Sequence, residues 1–395
     1  MKHRIFWRNE RYSPAASLRG ITHTRYLIVG AGITGLSCAY FLLRKGIRPT
    51  DILLLEADTV GGGSTGRSAG MLIPEPENQY SDWWAALTKQ YGLANIKAYR
   101  REHLRALSTL KRLIKKAPIA CDMLPAELLI LARNTEAERF VETDARAREE
   151  LGARVQRLHG ARLMNEIASP QFIFGARVAK GIAVNPLALT QGIAGHLRTR
   201  GVRIHEHSRV LSMHNNLAKT SRGQVRYEHV IHAQGVGSAD ARLVRYTSTI
   251  AVTRPLGQRN LKKLHLDDKD MFIDEDPGRY CYYGKIAGDR LLLGYGDTAT
   301  DRRSAKTGLH VAHARALKAY AGKIFPQVRL PFEFAWSGVY CVTHGMIPTI
   351  RVGKHATFIN GAGDQLGCMV AAEYAITKLT GKAHPLDRLW QQASK

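Results

Sequence analysis

Residues Tyr26–Glu56 read YLIVGAGITGLSCAYFLLRKGIRPTDILLLE, and the order of parts in that stretch decides the fold. Tyr26–Val29 is a short apolar run rich in branched residues, the composition of a buried strand. It leads into Gly30-x-Gly32-x-x-Gly35, then into Leu36–Lys45 with helical spacing, and a second apolar run, Ile52–Leu55, ends on Glu56. Each glycine has a physical task in such a unit. Gly30 permits the tight turn, Gly32 lets the backbone approach a pyrophosphate, and Gly35 lets the helix lie close on its strand. The helix N-terminus presents unpaired N–H groups and a positive dipole end to the phosphates. Glu56, 21 residues beyond Gly35, stands where an acid accepts the ribose hydroxyls. A dinucleotide site is expected here.

Composition sets the outer bounds. The chain has 395 residues, with 45% hydrophobic and 23% charged residues, which suits a globular protein of two domains with a sizeable core. Its five cysteines, Cys38, Cys121, Cys281, Cys341 and Cys368, are scattered without a CxxC pair. That pattern argues against a disulfide framework or a zinc site, predicts no metal, and fits a reducing, cytoplasmic setting. No apolar run approaches the roughly 18 residues that span a bilayer. Residues 1–19 form a polar, Arg-rich arm with Glu10 as its one acid. It lacks the apolar segment of a secretory signal, and its composition is also that of a mitochondrial-type transit segment.

The net charge of +25 favours anionic partners. These are the phosphates of the cofactor, an acidic substrate, an anionic membrane surface met peripherally, or nucleic acid. Lys and Arg are spread along the chain rather than bunched, which makes nucleic acid the weaker expectation. The densest group, Arg100, Arg101, Arg105, Lys111, Arg112, Lys115 and Lys116, interleaves with Leu104, Leu107, Leu110 and Ile114, as on the solvated face of an amphipathic helix.

Further along, Gly61-Gly-Gly-Ser-Thr-Gly-Arg-Ser-Ala-Gly70-Met-Leu is too rich in glycine for regular structure and suits a loop against a flat ligand. Residues 81–117 carry helical periodicity, and residues 126–150 begin apolar and become a charged helix. A second alternating α/β stretch runs through Ile182–Asn185, a helix to about Arg200, Val202–Ile204 and Val225–Ala233, ending at Gln234-Gly235-Val236-Gly237. Ile250–Pro255, Tyr280–Gly284 and Leu291–Gly294 read as antiparallel sheet, with the turn Ala287-Gly288-Asp289 joining the last two. Helix is expected over 306–325, strand over Phe332–Val342 and Thr357–Ile359, and a closing helix over Met369–Leu379 after Gly361-x-Gly363 and Gly367. The fold class is α/β with two domains: a Rossmann-like cofactor domain, discontinuous over 20–95, 171–245 and 332–395, and a substrate domain of antiparallel sheet and helices over 96–170 and 246–331.

Taken in order, GAGITG with Glu56, GGGSTGRSAGML, VNPLALTQGIA, VIHAQGVGS, CYYGKIAGDRLLLGYGD, EFAWSGVYCVTHGMIP and FINGAGDQLG resemble the D-amino-acid oxidase superfamily of flavoproteins. The similar branch is that of glycine oxidase, sarcosine oxidase and γ-glutamylputrescine oxidoreductase. The resemblance covers nearly the whole chain and implies FAD, held non-covalently. It implies cofactor contacts from Gly30, Gly32, Ile33, Thr34 and Gly35, and from Glu56 and Ala57. The glycine-rich loop adds Gly63, Ser64, Thr65, Arg67, Ser68, Ala69, Gly70 and Met71. Val210, Gly235, Gly338, Gly363, Asp364, Gln365, Leu366 and Gly367 complete the set. Helix N-terminal amides near Gly367 would face the flavin and stabilise negative charge on it.

On the substrate side the resemblance implies that Tyr282 and Tyr283 flank the substrate. Tyr340 and Gln365 stand at positions where relatives place arginines that grip a carboxylate, and neither carries the guanidinium that a bidentate clamp needs. Arg67 and Lys285 are the candidates to replace them. Leu292 occupies the position of a lysine that promotes reaction with oxygen, so the electron acceptor is O2 or another carrier. Gly338 stands where some relatives attach flavin through cysteine, with Cys341 three residues away, and His344 is a further candidate for the site. The implied activity is oxidation of the C–N bond of an amine or a modified or secondary amino acid, by hydride transfer to flavin and hydrolysis of the imine. Three other functions suit the sequence: processing of a modified tRNA base, an electron-transfer subunit of a heteromeric or membrane-surface dehydrogenase, and a flavin-binding scaffold with a degenerate substrate site.

Overall fold

The structure, a computed structural model, describes residues 1–74, 83–266, 270–276, 279–300, 310–345 and 347–393. Its first sheet is built on the strand Gly20–Val29, whose last four residues, Tyr26 to Val29, are buried. That strand pairs in parallel with Ile52–Leu55 on one side and Gly223–His232 on the other. Arg203–His205 extends the sheet in parallel beyond Ile52–Leu55, and Ala356–Asn360 does so beyond Gly223–His232. Runs such as Ile52-Leu-Leu-Leu55, buried on both faces, are what a parallel sheet under helices requires. The helices Ile33–Arg44, Pro186–Thr199 and Gln365–Leu379 supply that cover and share one apolar cluster with Ile28, Ile52 and Leu54.

Gly35 is what lets the first of these helices sit down. A Cβ at Gly35 would stand 1.9 Å from the carbonyl oxygen of Gly30, and one at Gly30, where φ is +105°, would stand 2.5 Å from that of Ala233. Only hydrogen fits at either point.

The second sheet runs in the order Phe332–Thr343, Leu243–Thr253, Arg290–Thr300, Arg279–Ile286, Asp270–Asp276, Leu124–Ala132, Phe174–Ala183 and Met71–Leu72, with Gln156–His159 beside Phe174–Ala183. Most neighbours are antiparallel, and Asp270–Asp276 with Leu124–Ala132 is the parallel exception. The hairpin expected at Ala287-Gly288-Asp289 forms as a three-residue loop between the paired Ile286 and Arg290, with Gly288 and Asp289 both in the left-handed region. The strands 174–183 and 332–343 lie within segments expected in the cofactor domain, yet they pair in this second sheet.

Two long expectations resolve into shorter elements. The helical region over 81–117 is two helices, Trp83–Tyr91 and Leu93–Lys116, broken at Gly92 with φ +83°. On the second of them Arg101, Arg105, Lys111, Arg112, Lys115 and Lys116 face solvent while Leu107, Leu110 and Ile114 are buried. Leu104 departs from the pattern and is exposed. The helix expected from 306 is described as Val311–Ile324, and 301–309 lie outside the described residues. Among the described residues no helix is long and apolar enough to cross a membrane.

The N-terminal arm is anchored to both halves of the molecule. Lys2 pairs with Glu333, the buried Trp7 donates its indole N–H to the Ser68 carbonyl, and Asn185 donates to the Arg8 carbonyl. Glu206, fully buried, accepts from the Tyr12 hydroxyl, the Ala15 amide and the Val60 amide. One carboxylate thereby ties the arm to the segment that follows Glu56.

Two alanine substitutions with opposite outcomes check this packing. Gly195 lies in the helix Pro186–Thr199 with nothing within 4 Å of a built Cβ, so Gly195→Ala is expected to stabilise by up to about 1 kcal/mol. Gly35→Ala forces the helix off its strand and is expected to cost several-fold more, about 3 kcal/mol or above. Thermal melts of the two variants against the parent check both signs.

Candidate active site

One cavity of about 510 Å³ opens between the sheets, within the range of small-molecule sites. Val29, Leu55, Ala233, Ile359 and Asn360 line it from the carboxyl ends of the parallel strands, and Ser248, Ile250, Tyr282, Gly338 and Tyr340 line it from one face of the second sheet. An open α/β sheet binds ligands outside its strand C-termini because the loops and helix N-termini there converge on the same space.

At the parallel-sheet end, Gly30, Gly32, Ile33 and Thr34 form the turn into the first helix, and Gly32 caps it without a side chain. The carboxylate of Glu56 accepts the Ala31 amide on one oxygen at 2.8 Å and the Asp58 amide on the other at 3.0 Å. Each oxygen keeps a second lone pair, and the side chain is thereby held at the cavity edge. Ala57 and Val210 line the same end, with Arg209 beside them.

The glycine-rich loop crosses the middle of the cavity and is pinned from outside. The indole of Trp336 donates to the Arg67 carbonyl at 2.8 Å and that of Trp7 to the Ser68 carbonyl at 2.8 Å. Ser64 donates its hydroxyl proton to the Val339 carbonyl at 2.7 Å, and the Thr65 hydroxyl oxygen accepts the Ile33 amide at 3.3 Å. Two glycines are obligatory here. A Cβ at Gly66 would meet the Gly61 carbonyl at 2.3 Å, and one at Gly70, with φ +75°, would meet the Val184 carbonyl at 2.0 Å. Gly63 through Met71 all line the cavity except Gly66.

The closing glycine segment brings Gly363, Asp364 and Gln365 to the cavity. Gln365 donates from Nε2 to the Ser68 hydroxyl at 2.8 Å, while its Oε1 is buried with no hydrogen-bond partner. A buried acceptor left open toward a cavity is the mark of a ligand group that completes it. Gly367 differs from the expectation. Its amide is consumed by the Asp364 carboxylate, which caps the helix at 2.7 Å, and neither Gly367 nor Leu366 lines the cavity. Gly35 likewise stays beneath the turn, as its packing role dictates.

The two expected tyrosines separate. Tyr282 lines the cavity, its ring lying over Gly294, where a Cβ would come within 1.9 Å of it. Tyr283, the next residue on the same strand, points to the opposite face by the two-residue period of a strand. There it is fully buried, stacked on Phe272 at 5.2 Å and edge-on to Phe325. The expectation that both tyrosines flank one site is therefore corrected: of the two, Tyr282 alone lines the cavity. Lys285 lies outside the cavity and pairs with Asp289 in the hairpin, and His344 is exposed and also outside it. Arg67 does line the cavity, with Nε donating to the Gly62 carbonyl at 3.1 Å. Leu292 is fully buried in the cluster of Ile250, Phe334 and Trp336. Sequence reasoning missed Ser248 and Asp297, which line the cavity beside Tyr282 and Tyr340. Tyr340 donates to Asp297 at 3.0 Å, and the Ser248 and Tyr282 hydroxyls stand 3.5 Å apart.

Comparison with known proteins now gives the arrangement a family. Residues 25–375 match the family DAO, described as FAD dependent oxidoreductase. This chain belongs to that family. A curated relative, γ-glutamylputrescine oxidoreductase of Escherichia coli, is 25% identical over 394 residues, covering 95% of this chain and 88% of that protein. The fold is shared with glycine oxidase from Geobacillus kaustophilus, at a TM-score of 0.76 and 16% identity over 92% of this chain and 96% of that one. It is also shared with L-proline dehydrogenase from P. horikoshii, at 0.74 and 17% over 96% and 100%. The cofactor is FAD, and the open Gln365 acceptor, the side-chain-free cap at Gly32 and the glycine-lined loop are a cradle that fits it.

Two thiols reach this cavity, Cys341 and Cys368. Burial pushes the Cys341 thiol up and carries that of Cys368 to about 12. Both therefore stay protonated at neutral pH, and a thiol in that state does not attack a flavin ring. Acid precipitation of the purified protein is accordingly expected to leave all yellow cofactor in the supernatant. Colour retained in the pellet would contradict this.

Proposed function

We propose that this flavoenzyme oxidises the C–N bond of an amine or of a modified or secondary amino acid, with the reacting carbon held in the cavity against Tyr282. The observation that carries the reading is the composition of the wall facing the dinucleotide turn: Tyr282, Ser248, Gly338 and Tyr340, one open volume with Gly30, Gly32 and Glu56 at its other end. FAD, when bound, supplies the acceptor for a C–H bond's hydrogen and electron pair. Carbon then shares a double bond with nitrogen, and water adds to that carbon to release a carbonyl compound and the nitrogen fragment. The curated relative is named for γ-glutamylputrescine, and the similar folds are named for glycine and L-proline, which supports an amine or amino-acid substrate.

The roles of the chain's own residues follow from their surroundings. Gly338 faces Arg67, whose Cβ would lie 3.4 Å from a Cβ built there, in ordinary contact. Burial, and then the nearby Asp297 carboxylate, push the Tyr282 phenol well above its ordinary range. Tyr282 therefore orients substrate as a neutral hydroxyl and does not serve as a base. The loop over Ser64 to Met71, held by the two indole donors, forms the wall opposite the second sheet. Leu292 is packed in the cluster behind the cavity and brings no cation to it, and the electron acceptor is O2 or another carrier.

An anaerobic screen of amines, N-methyl amino acids and D-amino acids, read by loss of the visible flavin band, tests the reading. Bleaching by at least one of these compounds is expected, and bleaching by none would overturn it. The pH profile follows from the direction of the Tyr282 shift. A raised phenol pKa keeps the proton on through the alkaline range, so the reduction rate should rise with deprotonation of the substrate amine and then level off. A fall near the ordinary tyrosine pKa, about 10, would show that Tyr282 ionises after all. Tyr282→Phe should slow reduction by about tenfold, the loss of roughly one hydrogen bond in the transition state.

A further inference from the structure

Asp297 reaches the cavity through an irregularity that a regular strand would not allow. Across the pair of strands Leu243–Thr253 and Arg290–Thr300, Ile250 opposes Gly294 and Thr249 opposes Tyr295, but Thr247 opposes Thr298. One extra residue is accommodated on the second strand, beside Ser248. Gly296, with φ +77°, supplies the left-handed conformation that such a bulge takes. A Cβ there would stand 3.1 Å from the His313 ring, and His313 also hydrogen-bonds Thr298 at 3.1 Å, so the bulge is buttressed by the helix behind it. In a regular strand Asp297 would share a face with Tyr295, which packs against the core beneath Tyr283. The bulge turns it to the face of Tyr282, Ser248 and Gly338 instead.

The surroundings at that point suit a cation. Tyr340 donates to one Asp297 oxygen at 3.0 Å and fixes its direction, and the Tyr340 ring stacks on Tyr246 at 5.7 Å. Tyr282 adds a second aromatic edge. A carboxylate among aromatic rings recognises an ammonium group by charge and by the ring faces together. Arg67, a cavity cation near Gly338, gives one of its five N–H donors, Nε, to the Gly62 carbonyl, and the positions of Tyr340 and Gln365 carry no arginine to hold a carboxylate.

Resting on the amine-oxidation reading above, we propose that Asp297 anchors a cationic nitrogen of the substrate, and that this nitrogen is not the one oxidised. Loss of a hydride from carbon needs a lone pair on the adjacent nitrogen, whereas a carboxylate in contact with a nitrogen favours its protonated form. The anchored nitrogen is therefore a second one, and the substrate class is diamine-like: one nitrogen charged at Asp297, the other neutral beside the reacting carbon. Amino acids with a free α-carboxylate next to the reacting carbon are disfavoured by the same charge.

Calorimetric titration of the full-length protein as purified, with n-propylammonium chloride and with sodium propionate, tests the anchor without turnover. The ammonium ion should bind and propionate should not bind more tightly. Asp297→Asn, which keeps an acceptor for Tyr340, should weaken ammonium binding about tenfold or more, while Tyr340→Phe should change it only a few-fold. In anaerobic flavin bleaching the parent should prefer 1,4-diaminobutane to 1-aminobutane in kcat/KM, and Asp297→Asn should lose that preference mainly through KM. Tighter propionate binding, no ammonium binding by the parent, or equal ammonium binding by Asp297→Asn would each overturn the anchor. Amine bleaching with any of these results removes the anchor and leaves the amine-oxidase reading standing. Failure of every amine to bleach the flavin removes that reading, and the calorimetry still decides whether Asp297 holds a cation.

Discussion

The contact on which the rest depends is the one between Gly35 and the carbonyl of Gly30, where a single methyl group would stand 1.9 Å from oxygen. It sets the helix Ile33–Arg44 against the strand Gly20–Val29 and directs the helix N-terminus to the carboxyl ends of the parallel strands. Every other part of the cofactor end is fixed relative to that turn. Glu56 binds back to Ala31 on the turn itself, Thr65 accepts the Ile33 amide, and Gly61 donates to the Ala31 carbonyl. The glycine-rich loop thus follows the turn, and the two indole donors hold it there from the far side. A dinucleotide cradle is in this sense one rigid object with several strands of chain attached.

The second sheet works by a different rule, the alternation of faces. Trp336, Gly338 and Tyr340 on one strand lie across from Ile250, Ser248 and Tyr246 on the next, so one set of side chains builds the wall and the other the core behind it. This is why Tyr282 and Tyr283, adjacent in sequence, have unrelated environments. Tyr283 belongs to the packed cluster with Phe272 and Phe325, and Tyr282 belongs to the cavity. Where the wall needs a charged group, the alternation is broken by one residue at Gly296, and Asp297 enters.

The sequence was readable where chemistry leaves few choices. Strands at 26–29, 52–55 and 357–359 are written by apolar runs, and the glycine turn, the loop over 61–70 and the hairpin at 287–289 by glycines at close approaches or positive φ such as Gly30, Gly35, Gly66, Gly70 and Gly288. Positions such as Val210 and Gln365 came from family likeness, and both line the cavity. Three things were not legible. The break at Gly92 looks in sequence like a tolerated helix glycine. The capping of Gly367 by Asp364 depends on a side-chain rotamer. The exposure of Asp297 depends on a bulge, and the spaced glycines of Leu291-Leu-Leu-Gly-Tyr-Gly-Asp297 were the only hint of it. Sequence likeness also carried Tyr283 into the site, because a two-residue motif match takes no account of which face each residue meets.

The central claim is that a carbon beside nitrogen gives up its hydrogen in this cavity. The most direct measurement is the anaerobic rate of flavin bleaching with an amine substrate deuterated at that carbon, compared with the unlabelled compound. The account predicts that the deuterated substrate reduces the flavin more slowly, with the same final extent of bleaching. Equal rates for the two, under conditions where bleaching rather than binding limits the rate, would contradict it.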